Sequence, residues 1–130
     1  MGFRSRHSKN VLTVPKCNEL FRKARFCKYT NCKAVRLENN TYLIQYADCY
    51  AVQLHQTDII TIYPDKFVFR HNGWKTNTTK NRMERYSFIN ISVSKRIWYY
   101  RIGAWNNSTG LKEFENGLTL TKANALEYLI

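Results

Sequence analysis

The sequence predicts an α+β fold: a compact, mostly antiparallel sheet of hairpins with short helices, preceded by a basic N-terminal arm. Three observations predict it. From Thr41 onward apolar residues recur with a period of two. Turn-forming residues interrupt that alternation at Ala47-Asp48-Cys49, Tyr63-Pro64-Asp65-Lys66 and His71-Asn72-Gly73. Only short stretches show a helical period, and antiparallel hairpins with a few short helices give an α+β layout.

The elements follow in order. Residues 1–16 read as an extended basic arm holding Arg4, Arg6, His7 and Lys9 before Pro15, and residues 17–130 as a single domain. A short helix is expected over Asn18–Phe26, with Asn18 as its cap. Leu20, Phe21 and Ala24 share its apolar side, and Arg22, Lys23 and Arg25 face outward. The first hairpin pairs the alternating run from Thr41 with Tyr50–Leu54. The second pairs Asp58–Ile62 with Phe67–Arg70, its turn pre-set by Pro64. Thr78 or Thr79 then caps a helix reaching about Tyr86, with Met83 and Tyr86 inward and Lys80, Arg82 and Arg85 outward. A third hairpin joins Phe88–Val93 to Arg96–Ile102 through Ser94-Lys95. Asn106–Gly110 reads as a loop, and Thr121–Ile130 as a terminal helix.

Charge gives the strongest statement about partners. The 130 residues hold 21 Lys+Arg and 9 Asp+Glu, a net charge of +12. Residues 1–37 carry ten bases against Glu19 alone, and residues 63–101 carry nine bases against two acids. Between these blocks, residues 38–62 hold no base at all. Lys, Asn, Ile and Tyr are favoured by AT-rich codons, which accounts for part of the lysine, yet ten of the 21 bases are Arg. Such a balance fits a polyanion, because each neutralised phosphate releases counterions. Aromatic residues interleave with the bases in Lys95-Arg96-Ile97-Trp98-Tyr99-Tyr100-Arg101, so Trp98, Tyr99 or Tyr100 is expected to stack on bases beside phosphate contacts from Lys95, Arg96 and Arg101. Arg22, Lys23, Arg25 and Lys28 form the expected contact set of the first block.

The most distinctive segment is Gly73–Arg82. It places Trp74, Lys75, Thr78, Thr79, Lys80 and Arg82 at an expected helix N-terminus, followed by Arg85. Free N–H groups, hydroxyls and cations together are what a phosphate-binding corner requires. It is not a P-loop, since the GxxxxGK[ST] spacing is missing.

At these residues a resemblance enters. Leu54-His55-Gln56-Thr57-Asp58-Ile59-Ile60-Thr61, then Asp65, then Asn72-Gly73-Trp74-Lys75-Thr76 and Thr78-Thr79-Lys80 with Arg82, resembles a group of small phage-encoded proteins. Their pattern runs roughly LHxTDIVT, an Asp-Gly turn, then GGWxTxTTKxRxN, and the likeness covers about residues 50–86. The chain departs from it at Lys66, where the turn Gly would sit, at His71-Asn72, and at Glu84 or Arg85 near the usual Asn. The resemblance implies a phage origin and a shared fold element, and carries no mechanism.

Other chemistry finds less support. As an enzyme, His55 and Asp58 would serve as base and orienter, but a period-two strand puts them on opposite faces. No nucleophile context or carboxylate cluster accompanies them, so no catalytic residue is assigned; the enzyme alternative is a metal-dependent nuclease. Cys17, Cys27, Cys32 and Cys49 lack a CxxC knuckle, so reduced thiols and no metal or other cofactor are expected. No apolar run approaches the length of a membrane span, no secretory signal is evident, and Arg6 stands where myristoylation prefers Ser or Thr.

The sequence therefore predicts a basic phage protein of the infected cell's cytoplasm that binds nucleic acid, DNA or RNA, through backbone phosphates with little sequence preference. The alternative is an interaction protein that inhibits a host protein or ribonucleoprotein of the defence or transcription machinery. Oligomeric state is left open, since exposed edge strands would permit a dimer.

Overall fold

A computed structural model of the chain describes residues 10–24, 34–102 and 111–121. Two helices, α1 (Val14–Ala24) and α2 (Asn77–Arg85), accompany nine strands in two antiparallel sheets, an α+β fold. The larger sheet has the order β1 (Ala34–Glu38), β2 (Thr41–Gln45), β3 (Tyr50–Leu54), β4 (Thr57–Ile62), β5 (Lys66–Phe69), β9 (Leu118–Thr121). The smaller pairs β6 (Ile89–Ser94) with β7 (Ile97–Ile102) and β7 with β8 (Lys112–Glu113).

The turns explain the meander. Between β2 and β3, Tyr46 N–H donates to the Cys49 carbonyl at 2.9 Å and closes the Ala47-Asp48 turn. Between β4 and β5, Tyr63 N–H does the same to Lys66 at 2.9 Å across Pro64, whose ring fixes φ where the turn needs it. β3 and β4 are joined by His55-Gln56 alone, with His55 at φ 57°. The register of that pair slips between Val52/Ile60 and Gln53/Asp58, leaving Ile59 as an extra residue in β4. Such a bulge re-aims a side chain. Ile59 is buried, and its carbonyl accepts from Arg70 N–H at 2.9 Å.

Alternation in the strands becomes core. Leu43, Val52, Ile60, Ile62 and Phe69 are fully buried, joined by Leu12, Met83 of α2 and Ile89 of β6. α1 contributes Cys17 and Phe21, whose ring lies 5.5 Å from that of Tyr50. Phe67 and Phe88 meet edge-on at 5.0 Å. No helix among the described residues is long and apolar enough to cross a membrane.

Several elements differ from expectation. α1 starts at Val14, not Asn18, because Pro15 sits in the first turn, where its missing N–H costs nothing. Asn18 is therefore no cap; its side chain accepts a hydrogen bond from the Tyr50 hydroxyl. Residues 10–12 are tied to the end of α2: Asn10 and Leu12 N–H donate to the Arg85 and Tyr86 carbonyls, at 2.6 and 3.2 Å. α2 is capped by Thr76, not Thr78 or Thr79. β1, β8 and β9 were not expected, and Thr121 ends a strand instead of capping a helix. The expected Asn106–Gly110 loop and the remainder of the 121–130 helix lie outside the described residues.

Phe69 is fully buried and packs against Phe114 at 6.4 Å. Phe69→Ala is expected to cost about 3–5 kcal/mol in urea unfolding, whereas exposed Val93→Ala should change stability by less than about 0.5 kcal/mol.

Candidate functional site

The loop between β5 and α2 is built as a rigid piece. Asn72 and Gly73 take left-handed φ values of 50° and 87°. The Asn116 side-chain oxygen accepts from His71 and Asn72 N–H at 2.8 and 3.0 Å. His71 turns its ring inward, stacked on Phe114 at 5.8 Å and edge-on to Trp98 at 5.4 Å. Its Nδ1 accepts from Gly73 N–H at 2.9 Å, which requires a neutral imidazole. Burial, and then the Lys75 charge, hold the His71 pKa below its ordinary 6.5.

The same loop displays two side chains outward. Trp74 is 63% exposed, although its backbone N–H is fixed to the His71 carbonyl at 2.8 Å. Lys75 crosses to the smaller sheet, where its ammonium donates to the Arg96 carbonyl at 2.8 Å and lies 5.9 Å from the centre of the Trp98 ring. That bond joins the loop to the β6–β7 turn. Lys95 and Arg96 form this turn and both are exposed, with φ values of 53° and 69°. Among the described residues, no ion pair neutralises Lys75, Lys95 or Arg96.

α2 begins where the loop ends. The Thr76 hydroxyl accepts from Thr79 N–H at 3.1 Å and lies 3.0 Å from the buried Thr79 hydroxyl. Beside it opens a groove of about 940 Å³. Trp74, Thr76 and Thr78 form one wall, and the turn residues His55 and Gln56 with Thr57 the other. Leu54, Ile59 and Thr79, all buried, make its floor. The sequence segment Gly73–Arg82 pointed to one wall only. The other comes from the β3–β4 turn, nearly twenty positions earlier, which the antiparallel meander brings alongside.

The cations of α2 do not open onto this groove as a phosphate corner. Lys80 pairs with Glu84 at 3.6 Å. Arg85 Nη1 donates to Glu38 Oε1 at 2.8 Å, and Arg82 Nε lies 3.5 Å from Glu38 Oε2. Arg82 Nε also donates to the Thr41 hydroxyl at 2.9 Å. The Tyr86 hydroxyl completes the set by donating to Glu38 Oε2; burial, and then this bond, raise its pKa. Glu84 is itself buried, and its Oε2 accepts from Ile91 N–H at 2.8 Å. These three cations fasten α2 to the β1–β2 turn and to its own last turn.

The remaining expected contacts divide. Arg22 and Lys23 are exposed on α1 and share Glu19, at 3.6 and 3.8 Å. Arg25 and Lys28 lie outside the described residues. Tyr99 and Arg101 are half-buried on β7. Trp98 and Tyr100 are only 3% and 7% exposed, packed around Phe114 at 5.6 and 6.5 Å. The expectation that they stack on bases is corrected: they belong to the core, and the exposed aromatic ring near the cations is Trp74.

Among the described residues no group of three or more His, Cys, Asp or Glu could hold a metal ion. Burial pushes the Cys17 thiol up to about 12, and Cys49 is raised by burial and then by Asp48. Cys27 and Cys32 lie outside the described residues. Asp58 accepts from the Tyr46 hydroxyl at 2.7 Å and from Gln53 at 2.9 Å, while His55 stands in the turn at the groove.

Two outcomes follow from these contacts. Glu38→Ala strands two partly buried guanidiniums and should lower unfolding free energy by about 2–3 kcal/mol, read by urea denaturation. For His71, the unfolded chain takes up a proton before the folded one as pH falls. Its contribution is therefore complete above about 6.5 and is lost as pH drops through the lower folded value. The urea midpoint should fall between about pH 7.5 and about pH 5, and fall less in His71→Phe.

Comparison with known proteins agrees with the origin that the sequence pattern implied. The sequence model of the Kyanoviridae Gp96 protein family matches residues 23–121. Neither a curated protein nor a solved structure matches the chain. The matched span takes in α2 and all nine strands, and the chain therefore belongs to the Kyanoviridae Gp96 protein family, a phage-encoded group.

Proposed function

We propose that this protein binds nucleic acid through backbone phosphates with little sequence preference, using the edge formed by Lys75, Lys95 and Arg96. The observation that carries this reading is the β6–β7 turn. Both of its residues are left-handed, a conformation that ordinarily selects Asn-Gly. Filling it with Lys-Arg costs on the order of 1 kcal/mol or more per residue. Local stability therefore does not explain the pair. It sets two cations at the tip of a hairpin, with a third docked against it by the Lys75–Arg96 bond. The net charge of +12 supplies long-range attraction to the same partner.

In this reading Lys80, Arg82 and Arg85 shape the protein and do not meet phosphate. Val93 and Ile97, 48% and 38% exposed beside the tip, favour the second reading: a host protein or ribonucleoprotein seated on the hairpin.

The test is a double substitution, Lys95→Asn with Arg96→Gly. It should raise the melting temperature, since both residues then suit the turn. It should also weaken binding of labelled single- and double-stranded oligonucleotides and lower the log–log salt slope by about 1.5–2, as loss of two phosphate contacts requires. Unchanged affinity and slope would contradict the reading. A host partner that survives nuclease treatment and is lost in this variant would favour the protein-partner alternative.

A further inference from the structure

We propose that the groove beside α2 holds an unstacked nucleobase against the Trp74 ring, so that the protein selects single-stranded over duplex nucleic acid. This rests on the phosphate-binding reading above and adds to it a strand preference and a base site.

Three observations converge on it. Trp74 is 63% exposed, yet its backbone is held from both sides: by its own N–H bond to His71 and by the anchored Lys75. An exposed indole on a rigid loop offers a flat π surface at little cost in ordering. Every base has a π face, so stacking is tolerant of sequence. Within a duplex that face is covered by neighbouring pairs, and only the edges are presented to a protein.

The groove has the right size and lining. Its volume of about 940 Å³ is at the upper end of small-ligand sites, ample for one nucleotide. The floor is apolar at Leu54 and Ile59, the latter aimed there by the β4 bulge. The far wall offers Gln56 and Thr57, whose donors and acceptors suit the edge of a base. No carboxylate is among the described residues that line it, so nothing there repels a nucleotide's charge.

The charge around the groove matches a strand that continues past it. Lys75 directly follows Trp74, and its bond to Arg96 brings the Lys95-Arg96 tip to the same loop. A base seated on Trp74 therefore leaves its flanking phosphates beside three cations, the arrangement of a stacking platform next to an electrostatic track.

The test measures anisotropy of the full chain with two labelled probes, an oligothymidylate of about twelve nucleotides and a duplex of about twelve base pairs, over a salt series. The wild type should bind the single strand about tenfold or more tighter than the duplex. Trp74→Ala should lose about tenfold for the single strand and leave the duplex unchanged, while Trp74→Phe keeps most of the affinity. Because the side chain is largely exposed, both variants should melt like the wild type. Equal salt-dependent binding of both probes, or a Trp74→Ala variant that binds the single strand normally, would overturn the base site and leave the phosphate reading standing. Failure of the wild type to bind either probe at low salt would overturn both.

Discussion

Glu38 gathers two guanidiniums and a phenol. Arg82 and Arg85 reach it from α2 and Tyr86 from just beyond. The carboxylate stands at the end of β1, so this contact ties the first hairpin of the large sheet to the helix that precedes the small sheet. The arrangement matches each charge with an opposite one inside a partly buried site, where an unmatched ion would be costly, although Arg85 Nε is left buried without a hydrogen-bond partner among the described residues. Arg82 Nε, which lies 3.5 Å from Glu38, donates its N–H to the Thr41 hydroxyl at 2.9 Å, a second tie between α2 and the start of β2.

From that clamp the candidate interface follows by geometry. With α2 pinned at its last turn, its first turn has a set position, and Thr76 and Thr79 close it there. The preceding loop is locked by His71 against Phe114 and by Asn116. Trp74 and Lys75 thus project from a fixed base, and Lys75 bridges to the hairpin tip. The clamp consumes Arg82 and Arg85, and ion pairs elsewhere among the described residues engage Arg22 and Lys23 with Glu19 and Lys80 with Glu84. Among the described residues near the groove, Lys75, Lys95 and Arg96 form the positive edge that no ion pair neutralises.

The hairpins were legible because a period of two, bounded by Pro64 or by Asp48, has few other solutions. The loop from Gly73 onward was legible as unusual, and its Trp and Lys do face solvent. What escaped the sequence is long-range. Lys80, Arg82 and Arg85 look like a solvated face until Glu38, more than forty positions earlier, is folded against two of them. The sequence puts the β6–β7 turn at Ser94-Lys95, and it stands at Lys95-Arg96. In a strand, one position decides which side a residue takes, and here Trp98 and Tyr100 face the core. β1 carries the same alternation, Val35 and Leu37 with Arg36 and Glu38, but over two apolar residues only, too short a run to stand out.

The most direct measurement is a titration of ¹⁵N-labelled protein with oligothymidylate, following the side-chain Nε–H signals of the arginines. If Glu38 holds its two guanidiniums while the hairpin tip meets the polyanion, the Arg96 signal shifts progressively and those of Arg82 and Arg85 stay in place. Movement of the Arg82 and Arg85 signals with a stationary Arg96 would contradict the account.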